Sequence, residues 1–149
     1  MAIDTDAPTT TLILSRRFDA PRERVFDAWV TKVWCDWMGP RDFRCEAVEI
    51  DARPGGRYQV RMRRPDGSAV KISGIYREIS RPEKLVFTWM GDYHTHETLI
   101  TVRFVADGSG TMMTLTQEGF ATLQDRDGHK EGWSGENGCF DKLEKYLAG

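Results

Sequence analysis

The chain has 149 residues, the length of one domain with one core. Hydrophobic residues make up 40% and charged residues 30%, an ordinary globular balance. A formal net charge of -2 gives no electrostatic case for nucleic acid, and no apolar run is long enough to span a bilayer.

Residues 1–9 read as a flexible arm, and residues 10–149 as the domain. Thr11 to Phe18 reads as a strand with Leu12, Leu14 and Phe18 on one face. Arg16 is the odd charge on that face, and a half-buried Arg needs a carboxylate or carbonyl partner. Asp19-Ala20-Pro21 switches the chain into a helix, with Pro21 suited to the first turn because its missing N–H would have no partner there. Val25, Ala28 and Trp29 share one helical face. A second short helix is expected over Lys32 to Trp37, ended by Gly39-Pro40.

A run of strands follows. Phe43 to Asp51 comes first, and Pro54-Gly55-Gly56 turns the chain into Arg57 to Arg64, where Tyr58, Val60 and Met62 face one way. Arg57, Arg61 and Arg63 alternate with them, the pattern of a solvated face or, on a sharper reading, of an anion-binding patch. Pro65-Asp66-Gly67-Ser68 is a hairpin turn. Val70, Ile72, Gly74 and Tyr76 then point inward, as do Leu85, Phe87 and Trp89 on the next strand. Thr98 to Val105 and Thr111 to Glu118 complete the set. Strands joined by such short turns pair antiparallel, and their alternation implies one covered and one wet face. The cover is a C-terminal helix expected over Lys130 to Leu147, with Trp133, Phe140, Leu143 and Leu147 as its apolar stripe.

Cys35, Cys45 and Cys139 are odd in number, widely spaced and without a CxxC motif, which predicts reduced thiols rather than a disulfide framework. The segment Met1 to Thr10 lacks a signal-peptide pattern, so a cytoplasmic location is expected.

Five short signatures occur in order: Arg16-Arg17-Phe18-Asp19-Ala20-Pro21, Trp37-Met38-Gly39-Pro40, Pro54-Gly55-Gly56, Gly74-Ile75-Tyr76, and Gly132-Trp133 ahead of a terminal amphipathic helix. In order and spacing they resemble the activator-of-Hsp90-ATPase-homologue branch of the START-like (helix-grip) superfamily. The resemblance implies an α+β helix-grip fold, in which a curved antiparallel sheet of six to seven strands wraps a long C-terminal helix and two short helices follow the first strand. It also implies a cavity for an apolar or amphipathic small molecule. Relatives include lipid carriers, aromatase/cyclases, hormone receptors and a co-chaperone domain, so fold alone does not settle function. The chain departs from the family pattern after Trp133, where six residues, Ser134 to Cys139, precede Phe140. Gly132, Gly135 and Gly138 weaken a helix there. They form either a loop, with the regular helix starting near Gly138, or a widened pocket mouth.

The chemistry-bearing clusters are few. His94 and His96 would share a strand face, but zinc needs a further protein ligand, so no metal site is expected. No hydrolase, phosphate-loop or redox motif appears, no catalytic residue is nominated, and no cofactor is expected. Cys139 reads as a small buried hydrophobe more readily than as a nucleophile.

The apolar set points to a ligand. Met38, Phe43, Tyr58, Met62, Ile72, Tyr76, Phe87, Trp89, Trp133 and Phe140 are the candidate cavity residues, with Tyr58, Tyr76 or Arg16 orienting a polar end. Gly74 is expected to leave volume under the sheet. The leading reading is a carrier or sensor for a small hydrophobic ligand. Alternatives are an interaction module for an Hsp90-type chaperone, for which relatives use a further domain, and a cyclase- or hydrolase-like enzyme using the same pocket. A monomer or weak homodimer is expected.

Overall fold

The computed structural model describes residues 10–92 and 96–149; the expected arm at residues 1–9 lies outside them. Seven strands occur in chain order: β1 (Thr11–Phe18), β2 (Arg44–Ile50), β3 (Arg57–Arg63), β4 (Ala69–Ser80), β5 (Lys84–Gly91), β6 (Thr98–Asp107) and β7 (Gly110–Glu118). Helices α1 (Arg22–Val30) and α2 (Trp34–Trp37) lie between β1 and β2, and α3 (Leu123–Ser134) and α4 (Cys139–Ala148) end the chain. The sheet order is β1-β7-β6-β5-β4-β3-β2, with every pairing antiparallel. Only β1 leaves sequence order, pairing with β7, so α1 and α2 carry the chain from one edge of the sheet to the other.

The period-2 pattern decides which face is covered. Tyr58, Val60, Met62, Val70, Ile72, Tyr76, Leu85, Phe87, Trp89, Ile100, Val102, Phe104, Met113 and Leu115 are all buried. Arg61, Lys71 and Arg103 between them are exposed. Helix α4 covers the inner face with Cys139, Phe140, Leu143 and Leu147. The Phe140 ring meets Phe18 of β1 edge-on at 6.4 Å and lies 5.8 Å from Trp133.

Pro21 sits one position before the helix rather than within it. As the N-cap, its carbonyl accepts from the Arg24 and Val25 N–H groups at 3.0 and 3.2 Å. The second helix is a single turn, shorter than Lys32 to Trp37, and the chain leaves it through Gly39 at φ 104, a left-handed conformation that suits glycine.

The C-terminal helical element is divided. Thr122 caps α3 by accepting from the Asp125 N–H at 3.1 Å, so helix begins seven residues before Lys130. It stops at Gly135, and α4 starts after Gly138. The bend between them is held by the Asn137 N–H, which donates to Asp141 Oδ2 at 2.8 Å. The glycine-rich stretch is thus a break between two helices, with Trp133 on the first and Phe140 on the second.

The expectation of reduced thiols is overturned at two positions. Cys35 and Cys45 form a disulfide, their Cα atoms 5.2 Å apart. The turn of α2 brings the chain back past the start of β2, a tertiary proximity that sequence spacing does not reveal. Cys139 is the buried free thiol.

Candidate functional site: a cavity between the sheet and the third helix

A cavity of about 260 Å³ lies between the inner face of the sheet and α3. Its floor is Met62 of β3, Val70 and Ile72 of β4, and Trp89 of β5. These are consecutive inward positions, brought side by side by the register Met62↔Val70 and Val60↔Ile72. The loop between α2 and β2 supplies Met38, Pro40 and Phe43, and buried Trp133 and Cys139 close the deep end. Exposed Gln124 and Gly128 mark the mouth, with Arg64 and Asp125 beside them.

The space has a local cause in α3. Gly128 and Gly132 are four residues apart, on one helical face, and both line the cavity. A Cβ on Gly128 would meet nothing within 4 Å, and one on Gly132 would meet only the Pro40 ring, at 3.6 Å. Two absent side chains, one turn apart, leave a trough that the loop bridges without filling.

The polar atoms of the two indoles are already engaged by the protein. Trp89 Nε1 donates to His129 Nε2 at 3.3 Å. The His129 Nδ1 contact with the Asp125 carbonyl at 2.8 Å requires the proton on Nδ1, since a carbonyl can only accept, so Nε2 is the acceptor. Trp133 Nε1 donates to Gln117 Oε1 at 3.0 Å; Gln117 Nε2 donates to Thr98 Oγ1, and that hydroxyl donates to the Trp89 carbonyl. Gln117 and Thr98 are buried, so this chain fixes both rings from the protein side. What the indoles present to the cavity is apolar surface.

Six of the expected residues, Met38, Phe43, Met62, Ile72, Trp89 and Trp133, meet on the cavity wall. The other five lie elsewhere. Tyr58 leans across Gly74, where a Cβ would run into the Thr88 carbonyl oxygen and the Tyr58 ring. The Tyr58 hydroxyl donates to that carbonyl at 2.5 Å, and Thr88 Oγ1 accepts from the Ile75 N–H. Gly74 therefore makes room for a ring and a neighbouring strand, and the hollow expected there is filled. Tyr76 and Phe87 pack with Tyr58 in an aromatic cluster that includes Trp34. Tyr76 OH in that cluster, like Trp29 Nε1 and Trp34 Nε1, has no hydrogen-bond partner among the described residues. Phe140 is spent on Phe18 and Trp133. Arg16 pairs with Asp141 at 2.8 Å and Glu144 at 2.5 Å on α4, outside the cavity.

The wall residues not anticipated are Pro40, Arg64, Val70, Gln124, Asp125, Gly128, His129, Gly132 and Cys139. The usable signal was Thr122-x-x-Asp125, a helix-start pattern, followed by glycines at helical spacing. Burial pushes the Cys139 thiol up to about 12, so it stays protonated at neutral pH and is no nucleophile. Burial also lowers the Lys142 pKa; its ammonium donates to the Gly39 and Phe43 carbonyls at 2.5 and 3.3 Å, tying α4 to the mouth loop. His94 lies outside the described residues, among which no group of three His, Cys, Asp or Glu side chains is placed to hold a metal.

Residues 19–148 match the family model described as Activator of Hsp90 ATPase homolog 1-like protein, AHSA1. The chain belongs to the AHSA1 family. Solved structures agree on the AHSA1 fold. A Chromobacterium violaceum protein superposes with a TM-score of 0.86 at 24% identity, covering 94% of this chain and 98% of its own. A Nitrosomonas europaea protein gives 0.80 at 22%, over 94% and 95%. The AHSA1 protein of Silicibacter pomeroyi gives 0.79 at 24%, over 93% and 97%. No curated protein matches the chain. The AHSA1 match supports a ligand-binding or Hsp90 co-chaperone-like family. Among the described residues no helix is long and apolar enough to cross a membrane.

Proposed function

We propose that the chain binds a small aromatic or hydrophobic molecule, of about one or two rings, in the cavity between β3–β5 and α3, as a carrier or sensor. The observation that carries this reading is the trough at Gly128 and Gly132, roofed by Pro40 and walled by two indoles whose N–H groups are already bonded. Such walls reward apolar area, at roughly 25 cal/mol per Å² removed from water. The Met38 and Met62 thioethers add polarisable surface that suits an aromatic ring. The cavity, at about 260 Å³, lies just below the usual ligand-site volumes, which run from roughly 300 to 1,000 Å³. That size favours a compact ring system over a two-chain lipid. A polar end would face Arg64, Gln124 and Asp125 at the mouth, in place of Tyr58, Tyr76 or Arg16.

The test is an equilibrium titration with 2-naphthol, followed by its own fluorescence, on the wild type and on Gly132→Leu. The leucine Cβ meets only the Pro40 ring, and the larger side chain is expected to take up space in the trough. Saturable one-to-one binding that weakens about tenfold or more in the variant supports the reading; each lost 1.4 kcal/mol corresponds to tenfold. Equal affinity in both proteins would place the dye elsewhere and remove the argument.

The family match supports a second reading, a module that contacts an Hsp90-type chaperone. Co-purification with such a chaperone, unaffected by Gly132→Leu, would favour it over the cavity.

A further inference from the structure

The Cys35–Cys45 bond encloses the segment that roofs the cavity. Between the two cysteines lie Met38, Pro40 and Phe43, all on the wall. Cys35 belongs to α2 and Cys45 to β2, so the bond fixes both ends of the mouth loop to regular elements.

The loop needs that restraint. Gly39 is at φ 104 and Arg41 at φ 50, and a non-glycine residue in the left-handed region is held there only by its surroundings. Buried Met38 and the packing of Phe43 against the core hold part of it, and the remaining ties are polar. The Arg41 N–H donates to the Asn137 carbonyl at 2.7 Å, its guanidinium meets Glu131 at 2.9 Å, and Lys142 holds the Gly39 and Phe43 carbonyls. Arg41 and Glu131 are exposed, so their pairing is weak in water. Both cysteines are partly exposed, which lets a small thiol reach the bond.

We propose that Cys35–Cys45 is a redox clasp on the cavity mouth: the disulfide holds residues 38–43 over the cavity, and its reduction by a thiol frees the loop and speeds ligand release. The inference rests on the cavity reading above. In the reductive step a thiolate of a dithiol attacks one cysteine sulfur, the S–S bond breaks, and the departing cysteine thiolate takes up a proton. The reagent's second thiol then displaces the other cysteine, which is protonated in turn. The protein gains two electrons and two protons, and the dithiol becomes its own cyclic disulfide. Oxidising compartments keep such bonds closed and reducing ones open them, so loop and ligand would report the redox state around the protein.

Two readouts on the same samples test the clasp. Amide hydrogen exchange of residues 38–43 is followed in the oxidised protein, after dithiothreitol, and in a Cys35→Ser/Cys45→Ser double variant without reductant. Release of 2-naphthol is followed by stopped flow in the same three states, and exchange of β6 and β7 amides serves as a control for global opening. Loss of the cross-link is expected to speed exchange in the loop by about tenfold or more while β6 and β7 amides remain the slowest to exchange, so that the loop opens locally and not with the whole fold. Dye release is expected to accelerate alongside it, and the double variant to show no response to dithiothreitol. Unchanged loop exchange on reduction would overturn the clasp. Faster exchange with unchanged release would show that the loop does not govern the cavity, and would overturn it too. If 2-naphthol binds in none of the states, the cavity reading fails and the proposal falls with it, while the exchange data still show whether the bond restrains the loop.

Discussion

At the residue scale, Gly74 controls the contact between β4 and β5. The two strands pair at Ser73↔Met90 and again at Tyr76↔Phe87 in one register, and between these points side chains replace the ladder. The Tyr58 hydroxyl takes the Thr88 carbonyl, and the Thr88 hydroxyl takes the Ile75 N–H. The same burial pushes the Tyr58 pKa well above its ordinary value, so the hydroxyl stays a donor. Gly74→Ala would force its methyl into the Thr88 carbonyl and the Tyr58 ring, and is expected to cost about 1–3 kcal/mol, as overpacking does. Urea unfolding checks this. The sequence showed Gly74 as an inward position, but a missing side chain looks the same whether it leaves a hollow or admits a neighbour. Only the Tyr58 ring resolves it.

A second residue-scale effect is electrostatic. Asp27 accepts two hydrogen bonds from Arg81, at 2.8 and 2.9 Å, and this pairing holds its carboxyl below the ordinary value. Arg16 does the same to Asp141, helped by the Asn137 N–H. A carboxyl whose folded pKa is depressed contributes stability that is present above its unfolded pKa and lost as pH falls through the folded one. Stability is therefore expected to decline below about pH 4, where unfolded Asp titrates. Asp27→Asn should lower stability between pH 6 and 8 and shrink the decline below it, measured as denaturation midpoint against pH. An unchanged acid limb would show that the exposed pair contributes nothing.

At the element scale, the strands and α4 were legible and α3 was not. Alternation in β3, β6 and β7 sorts inward from outward positions, because each has one covered face; in β5 the run from Leu85 to Trp89 is buried throughout. The segment 123–134 has no comparable signal. Its one buried residue is Trp133, and glycines occupy positions 128 and 132. It is helical because Thr122 caps it and because Trp133 and His129 anchor it to Gln117 and Trp89. The glycines that obscure the helix also create the cavity. Gly128→Ala is expected to stabilise the protein by about 0.5–1 kcal/mol, since the new methyl meets nothing and glycine is the poorer helix former. Thermal unfolding checks this. A loss of stability would mean that the trough needs glycine for a structural reason.

At the scale of the whole molecule, the family signatures gave the fold, while the working parts depend on distant contacts. Six of the eleven expected site residues share the wall: Met62, Ile72 and Trp89 because β3, β4 and β5 are neighbours, Met38 and Phe43 from the loop between α2 and β2, and Trp133 from α3. Tyr58, Tyr76, Phe87 and Phe140 face inward equally well, but the first three pack together and Phe140 packs on Phe18 and Trp133. Inward orientation does not separate packed core from cavity wall. The disulfide was hidden for a similar reason: Cys35 and Cys45 look unrelated until α2 turns back past β2.

The central claim is that this cavity takes a compact aromatic molecule. The most direct measurement is native mass spectrometry of the wild type and Gly132→Leu, each exposed to indole, 2-naphthol and a long-chain fatty acid, with denatured controls. The account predicts one-to-one adducts of the ring compounds on the wild type. They should vanish on denaturation and be lost or strongly reduced in the variant, with the fatty acid binding less well. No ring adduct on the wild type, or equal adducts on both proteins, would contradict it.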